Sequence, residues 1–176
     1  MIIETERLRL RPLTLDDAPW VKEFMSDPRI AASLPAVPYP LTDEAVDEWI
    51  RGAMRDVTFA IERPEDGAVG GVVGIHLEEG NRGQIGCWCG EKYRRQGYFE
   101  EVAPAIVRYG YEELGLRVVY ALRNGRVLIA DREVSDRRFP FRYDPDGWEI
   151  VEQTASEPGP LRRAWSRIAR RPQPAR

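Results

Sequence analysis

The sequence predicts one α/β domain, with a mixed sheet of about seven strands flanked by about four helices. Segments with the period of two that is typical of strands are interleaved with segments of helical period, in the order β-α-α-β-β-β-α-β-α-β-β. The length of 176 residues suits a single domain that buries a substantial core. We place this domain at residues 1–156 and a basic tail at residues 157–176.

The N-terminal part is predicted to begin with a strand and a helix. Residues 7–11 alternate strictly and put Leu8 and Leu10 on one face of the strand. Thr14 and Asp17 have the spacing of a capping box, which indicates a helix start, and the Asp-Pro pair at 27–28 indicates its end. The apolar face of this helix is expected to comprise Trp20, Val21, Phe24 and Met25.

A second helix is predicted to begin at Thr42, after an irregular proline-rich loop at residues 33–40. Its apolar residues recur at i, i+3, i+4 and i+7, the spacing of one helix face. These residues are Val46, Trp49, Ile50 and Ala53.

The middle of the chain is predicted to form three consecutive strands. Residues 57–61 alternate, a turn follows at 64–67, and residues 68–77 alternate again, which indicates a hairpin. A second turn at 79–83 leads into a strand at residues 84–89.

The longest helix is predicted at residues 97–114, where Val102, Ile106 and Tyr109 share a face and Gly115 ends the helix. Beyond it we expect a strand, a short helix and a terminal hairpin, at residues 116–122, 127–134 and 139–151.

Composition and charge argue against several classes of protein. No apolar run approaches the roughly 18 residues that a membrane span needs. The N-terminus lacks the apolar region of a signal peptide, so a cytoplasmic location without membrane contact is expected. The net charge of −3 does not favour nucleic acid as a partner of the domain. The oligomeric state stays open between a monomer and a homodimer.

The two cysteines, Cys87 and Cys89, lie one residue apart on a predicted strand. Their side chains would share a face at a separation of about 6.6 Å, which suits neither a disulfide nor a metal site. We expect two small buried residues here. His76 is the single histidine, so no metal cofactor is expected.

The tail after Glu157 has six arginines and no acidic residue. Leu161, Trp165 and Ile168 recur at i, i+4 and i+7, so the tail has the pattern of a short basic amphipathic helix. Two interpretations stay open. The apolar residues dock on the domain, or the tail contacts RNA, a membrane or a protein partner.

The segment from Ile85 to Val102 carries the clearest chemical signal. It reads as a strand, a turn with two glycines, and the start of the longest helix, and two adjacent arginines lie just before that helix. The N–H groups at a helix N-terminus bind phosphate oxygens, and arginines add charge-assisted hydrogen bonds. The segment is therefore a candidate diphosphate site.

The order and spacing of these motifs resemble the GNAT (GCN5-related N-acetyltransferase) superfamily, and most closely its ribosomal-protein N-acetyltransferase branch (RimJ/RimL-type). The segments ETERLRLRPLTLDDA and IGCWCGEKYRRQGY carry the resemblance, which covers roughly residues 4–124. It implies a GNAT fold, in which the fourth strand splays from the fifth and acetyl-CoA binds in the gap as cosubstrate.

The resemblance also implies which residues hold acetyl-CoA. The pantetheine arm would bond to the strand backbone, a backbone N–H near Trp88 would polarise the thioester carbonyl, and the diphosphate would bind the loop that follows. The cofactor-binding residues expected on this basis are Cys87, Trp88, Cys89, Arg94, Arg95, Gln96, Gly97, Tyr98, Phe99 and Asn124.

Two stretches depart from the family pattern. Phe99 stands where the family has Gly or Ala, and Glu100 stands where it often has Ser or Thr. We expect Phe99 to crowd the loop and Glu100 to repel a diphosphate. After Asn124 the family's Asn-x-x-Ser and Gly-Phe pattern is missing, and this region normally supplies the acid that protonates the leaving thiolate.

Candidate catalytic residues lie outside that loop. His76 and Glu78 share a strand face and are candidate bases, the alternative being an ordinary polar strand end. Tyr120 and Tyr143 are candidate acids, the alternative being core or rim positions. Tyr39 of the proline-rich loop is a candidate substrate contact. Trp49 of the second helix is another candidate, although its place in the apolar face of that helix favours the core.

Two functions follow from these observations. The first is an N-acetyltransferase that moves an acetyl group from acetyl-CoA to a primary amine of a peptide or small molecule. The second is a GNAT-fold protein that has lost acetyl transfer and serves as a binding module or catalyses a different reaction in the same cleft.

Overall fold

A computed structural model describes residues 1–31, 34, 40–123, 126–130 and 141–143. The described residues form one eight-stranded sheet with the strands in sequence order. The strands are β1 Ile3–Glu4, β2 Arg9–Pro12, β3 Val57–Arg63, β4 Ala68–Glu78, β5 Arg82–Cys89, β6 Val118–Arg123, β7 Arg126–Ala130 and β8 Phe141–Tyr143.

Four α-helices occur within the same residues: α1 Ala18–Met25, α2 Pro28–Ala31, α3 Asp43–Ala53 and α4 Tyr98–Glu112. Short 3-10 turns precede α1 and α4, at Leu15–Asp17 and Glu91–Tyr93. None of these helices has the length and apolar composition needed to cross a bilayer.

All neighbouring strands are antiparallel except β5 and β6, which are parallel. A parallel pair needs a crossover connection, and α4 supplies it. The two strands pair only from Arg82 to Ile85, which oppose Val118 to Ala121. From Gly86 to Cys89, β5 pairs with β4 alone. The predicted GNAT fold, including the splay, is confirmed, with the splayed pair numbered β5 and β6 because the short β1 precedes the predicted first strand.

The helices cover the two faces of the sheet and bury the core. Val102 and Ile106 of α4 are 0% exposed, and Tyr109 packs edge-on against Phe59 of β3 at a centroid distance of 5.7 Å. The predicted stripe of α3 is buried as expected, and the Thr42 hydroxyl caps this helix by accepting a hydrogen bond from the amide of Ala45 at 3.2 Å.

The start of the chain adds one element to the prediction and confirms another. The Asp-Pro pair ends α1 but also begins α2, because the carboxylate of Asp27 accepts a hydrogen bond from the amide of Arg29 at 2.9 Å and Pro28 takes the first helical position. The predicted capping box is confirmed: the Asp17 side chain accepts a hydrogen bond from the amide of Thr14 at 2.8 Å, around a 3-10 turn that leads into α1.

The predicted helix at residues 127–134 is wrong where the structure describes it. Residues 126–130 form β7, which pairs with β6 on one side and β8 on the other. The run Val127-Leu128-Ile129 is a short apolar stretch rich in β-branched residues, which suits a strand between two partners. The first strand of the predicted terminal hairpin, at residues 139–143, is found in its described part as β8. The predicted strand at 148–151 and the tail at 157–176 lie outside the described residues.

Candidate active site

The candidate cleft lies where β5 leaves β6. The amide of Gly90 donates to the carbonyl of Gly70 at 3.0 Å, so it points toward β4. Successive amides along a strand point to opposite sides, which turns the Trp88 amide toward β4 and the Cys87 and Cys89 amides toward the gap. The gap side of β5 therefore presents backbone hydrogen-bonding groups for which β6 supplies no partner.

The side chain of Trp88 anchors this part of β5. Its ring lies 5.8 Å from that of Trp49, 6.2 Å from that of Trp20 and 6.3 Å from that of Phe24. Trp49 is 6% exposed and belongs to the core. The aromatic cluster holds the Trp88 ring on the face that α1 and α3 cover. Because the Trp88 amide also faces β4, contact with a ligand in the gap falls to the neighbouring amides of Cys87 and Cys89.

The expected burial of both cysteines is wrong. The side chain of Cys87 is exposed and that of Cys89 is half-buried, and both thiols are free. They occupy the segment of β5 that has no neighbour in β6, which explains their exposure. Burial raises the pKa of Cys89, and Arg94 offsets part of this effect.

The loop between β5 and α4 reverses direction through two left-handed residues. Arg95 has a φ of 62° and Gly97 a φ of 76°. A side chain at such a φ costs about 1 kcal/mol or more, so glycine suits the second position. The helix begins at Tyr98, and the first amides of a helix have no intrahelical acceptor. These amides and the positive end of the helix dipole make the loop suited to a phosphate group.

Several side chains of this loop are used to hold its own shape. Arg94 forms an ion pair with Asp27 at 3.5 Å, and the side-chain Nε2 of Gln96 donates to the carbonyl of Lys92 at 2.6 Å. The ring of Tyr98 is buried against that of Tyr93 at 5.9 Å. Any phosphate contact from Gln96 or Tyr98 would therefore come from the backbone.

Phe99 is half-buried and packs against the core, while Glu100 is exposed at the surface of α4. The expected crowding by Phe99 and repulsion by Glu100 stay predictions.

Sequence reasoning missed the residues that clasp the start of α4. Glu101 accepts hydrogen bonds from the Thr5 hydroxyl at 2.6 Å, from the Arg7 amide at 2.7 Å and from Arg7 Nε at 2.6 Å. Burial alone would raise the pKa of Glu101, but these hydrogen bonds outweigh it and hold the pKa below its usual range. The partners lie more than ninety residues apart in the chain, so spacing gave no signal.

The candidate catalytic residues meet on the sheet face opposite α4. The hydroxyl of Tyr120, 0% exposed, donates to Glu78 Oε1 at 2.9 Å and lies 3.5 Å from Gln84 Oε1. The guanidinium of Arg82 is 3.9 Å from Glu78. Burial raises the pKa of Glu78, and the Tyr120 hydrogen bond and the Arg82 charge offset only part of that rise.

His76 connects this cluster to the gap. A Cβ on Gly86 would lie only 3.0 Å from His76 Nε2, so the imidazole lies directly over the residue where β5 leaves β6. Glu78 and Tyr120 are thus in contact, and His76 lies two residues before Glu78 on the same strand, beside the start of the gap. Of the other candidates, Tyr39 and Asn124 lie outside the described residues, and for Tyr143 only its place in β8 is described.

A parted parallel strand pair followed by a glycine loop and a helix start matches a known domain. The family model of the acetyltransferase (GNAT) domain matches residues 7–124. The chain belongs to the GNAT acetyltransferase family. It is an acyltransferase, as its relatives' names also indicate.

The chain is similar in sequence to two proteins and in fold to a third. YoaA of Bacillus subtilis, an uncharacterized N-acetyltransferase, is 27% identical over 143 residues, covering 77% of this chain and 78% of YoaA. A GNAT acetyltransferase structure from Bacillus anthracis is 27% identical with a TM-score of 0.59, covering 69% of this chain and 72% of that one. Spermidine N-acetyltransferase from Vibrio cholerae, solved with CoA and spermine, is 14% identical with a TM-score of 0.54, covering 70% and 72%, and shows the fold alone.

Proposed function

We propose that the protein transfers an acetyl group from acetyl-CoA to the primary amine of a peptide or small molecule, in the cytoplasm. The observation that carries this proposal is the parting of β5 from β6 after Ile85. It leaves the amides of Cys87 and Cys89 facing a gap, on the last residues of the strand that precedes the loop at residues 94–99. An extended arm with amide groups would fit this gap by completing the hydrogen bonds of β5.

The residues present fit the cofactor in a second way. The loop offers amides at a helix start, the left-handed Gly97 and the exposed Arg95, all of which suit a diphosphate. Bound acetyl-CoA supplies the acetyl group as a thioester. The amide of Cys87 faces the gap near Trp88, where the proposal needs a donor to the thioester carbonyl.

Proton transfer would fall to the cluster beside the gap. Burial raises the pKa of Glu78 and so makes its carboxylate a stronger base, and His76 lies over Gly86 at the start of the gap. Tyr120 was expected to act as an acid, but its buried hydroxyl is directed at Glu78. This contact favours a role in orienting and tuning Glu78. Holding amine and thioester together would supply most of the rate gain.

The proposal leaves the acceptor amine to experiment. The sequence resemblance to the ribosomal-protein branch favours a protein N-terminus. The structure with a similar fold from Vibrio cholerae is a spermidine N-acetyltransferase solved with spermine, which makes polyamines the second class to test. A panel of ribosomal-protein N-terminal peptides, polyamines and amino acids, assayed by release of free CoA thiol, would distinguish them.

Cofactor binding is tested first, by thermal denaturation with acetyl-CoA. At a thousandfold excess over Kd, a ligand that binds the folded protein alone stabilises it by about 4 kcal/mol. A clear rise in Tm supports the proposal. An unchanged Tm at millimolar acetyl-CoA contradicts it and favours the alternative, a GNAT-fold protein that has lost acetyl transfer.

A further inference from the structure

The guanidinium of Arg7 bridges the N-terminal segment and the loop that precedes α4. Its Nε donates to Glu101 Oε2 at 2.6 Å, and its Nη2 donates to the carbonyl of Gln96 at 3.2 Å. The same Glu101 also accepts from the amide of Arg7 and from the Thr5 hydroxyl. Arg7 is thereby fixed at both its backbone and its side chain, although its side chain is 54% exposed.

This bridge determines the orientation of one peptide unit in the loop. A trans peptide is planar, so its C=O and N–H point in opposite directions. Because the Gln96 carbonyl points at Arg7, the Gly97 amide points away from it. Gly97 itself adopts a left-handed φ of 76°, and a Cβ there would lie 3.7 Å from Arg7 Nη2. The hydrogen bond from Arg7 therefore holds the least restricted residue of the loop in one orientation.

We propose that Arg7 is a positioning residue for the loop at residues 94–99. Arg7 holds the Gln96–Gly97 peptide so that the Gly97 amide is directed at the diphosphate of acetyl-CoA. This inference rests on the proposed function, because it assumes that the diphosphate binds at this loop. Arg7 acts through the loop and does not need to touch the ligand. Preorganising an amide in this way lowers the entropic cost of binding.

The fork of the guanidinium is essential to this role. Nε and Nη2 contact two different acceptors at once, whereas a lysine ammonium is a compact point charge. Arg7→Lys keeps the charge but cannot hold both acceptors in the same geometry. The two substitutions Arg7→Ala and Arg7→Lys thus separate the effect of charge from the effect of position.

The test compares two donors and three variants. Isothermal titration measures the Kd of acetyl-CoA, and kinetic assays compare acetyl-CoA with acetyl-pantetheine, which lacks the diphosphate. Arg9→Ala is the matched control, since Arg9 is also an ion-paired arginine of the N-terminal segment, bound to Glu4 and Glu62 rather than to the loop.

Both Arg7 variants are expected to raise the Kd of acetyl-CoA by about tenfold, the loss typical of one charge-assisted hydrogen bond. Their kcat/KM with acetyl-pantetheine should match that of the Arg9→Ala control. Full affinity in Arg7→Lys would overturn the positioning role, because charge alone would then suffice. An equal fall in kcat/KM with acetyl-CoA and with acetyl-pantetheine would overturn it as well, because Arg7 would then act on the whole fold.

The failure of this inference is distinguishable from the failure of the proposed function. If the unmodified protein does not bind acetyl-CoA, both fall. If it binds acetyl-CoA and the Arg7 variants bind as tightly as Arg9→Ala, only the inference about Arg7 falls.

Discussion

The hydroxyl of Tyr120 donates a 2.9 Å hydrogen bond to the carboxylate of Glu78, across the face of the sheet that borders the parted strands. The tyrosine is fully buried and the Glu78 side chain is 10% exposed. A hydrogen bond to the charged form of an acid lowers its pKa, whereas burial raises it. Since burial dominates at Glu78, the tyrosine limits a rise that would otherwise be larger.

Removal of this hydrogen bond should change the pH dependence of the reaction. In Tyr120→Phe the pKa of Glu78 should rise further, because its carboxylate loses a donor while its burial stays. The acidic limb of the profile of kcat/KM against pH should then move to higher pH. The fall in rate should be largest at low pH and partly recovered as pH increases.

Tyr111→Phe is a matched control for Tyr120→Phe. The hydroxyl of Tyr111 also forms internal hydrogen bonds, donating to the carbonyl of Ala130 at 2.7 Å, but it belongs to α4. Its loss should cost about 1 kcal/mol of stability without moving the acidic limb. An identical shift in both variants would show that the effect comes from general destabilisation.

Asp17 should be the carboxylate on which stability depends most clearly. It is 3% exposed and accepts hydrogen bonds from two nitrogens of Arg11 at 2.7 and 2.9 Å and from Trp20 Nε1 at 2.7 Å. Asp17→Asn leaves the charge of Arg11 without its main partner, so the free energy of unfolding should fall by about 3 kcal/mol. The exposed neighbour in Asp16→Asn should change it by less than about 0.5 kcal/mol.

The effect of Asp17 should also depend on pH in a defined direction. Burial would raise the pKa of Asp17, but the hydrogen bonds from Arg11, Thr14 and Trp20 hold it below its usual range. A depressed folded pKa stabilises the protein above the unfolded pKa, and this contribution is lost as pH falls through the folded value. Denaturation at a series of pH values should therefore show that the difference in free energy of unfolding between Asp17→Asn and the unmodified protein becomes smaller in acid.

The outcome for α3 and for β7 shows what the sequence could and could not predict. Helix α3 was predicted in full, because its cap at Thr42 and its apolar stripe are both local signals. Residues 127–130 were assigned to a helix, since a short apolar run has no period that separates helix from strand. The hydrogen bonds of Glu101 join α4 to the N-terminal segment at Arg7, and no local spacing in the sequence relates these two regions. Local sequence patterns therefore predict most helices and strands and the loop at residues 94–99. Tertiary contacts determine which side chains of that loop are free to bind a ligand, and the sequence alone does not show these contacts.

Gly97 should be required for cofactor binding beyond its effect on stability. Gly97→Ala puts a side chain at a left-handed φ, which costs about 1–2 kcal/mol and favours a change in the loop backbone. Gly80→Ala is a matched control, since Gly80 has a φ of 75° in a turn and no atom within 4 Å of a Cβ placed there. Both variants should lose similar stability in denaturation. Only Gly97→Ala should weaken acetyl-CoA binding, by about tenfold, and equal affinities would count against the loop as the diphosphate site.

Cys87 offers a direct test of the path of the pantetheine arm. The residue is exposed on the part of β5 that has no neighbour in β6, so a maleimide can reach it in the free protein. Desolvation raises the pKa of the Cys87 thiol to about 12, so this labelling is slow and is measured at mildly alkaline pH. In a Cys89→Ser background, which leaves Cys87 as the single thiol, saturating acetyl-CoA should slow labelling by about tenfold or more.

The control for this labelling experiment is 3′-phospho-ADP, which carries the diphosphate but lacks the pantetheine arm. It should bind the loop at residues 94–99 and leave the labelling rate of Cys87 nearly unchanged, because nothing then fills the gap beside β5. Protection by acetyl-CoA alone would mean that the arm lies against Cys87. Equal protection by both ligands would mean that binding at the loop closes the gap indirectly, and an unchanged rate with bound acetyl-CoA would contradict the proposed path along β5.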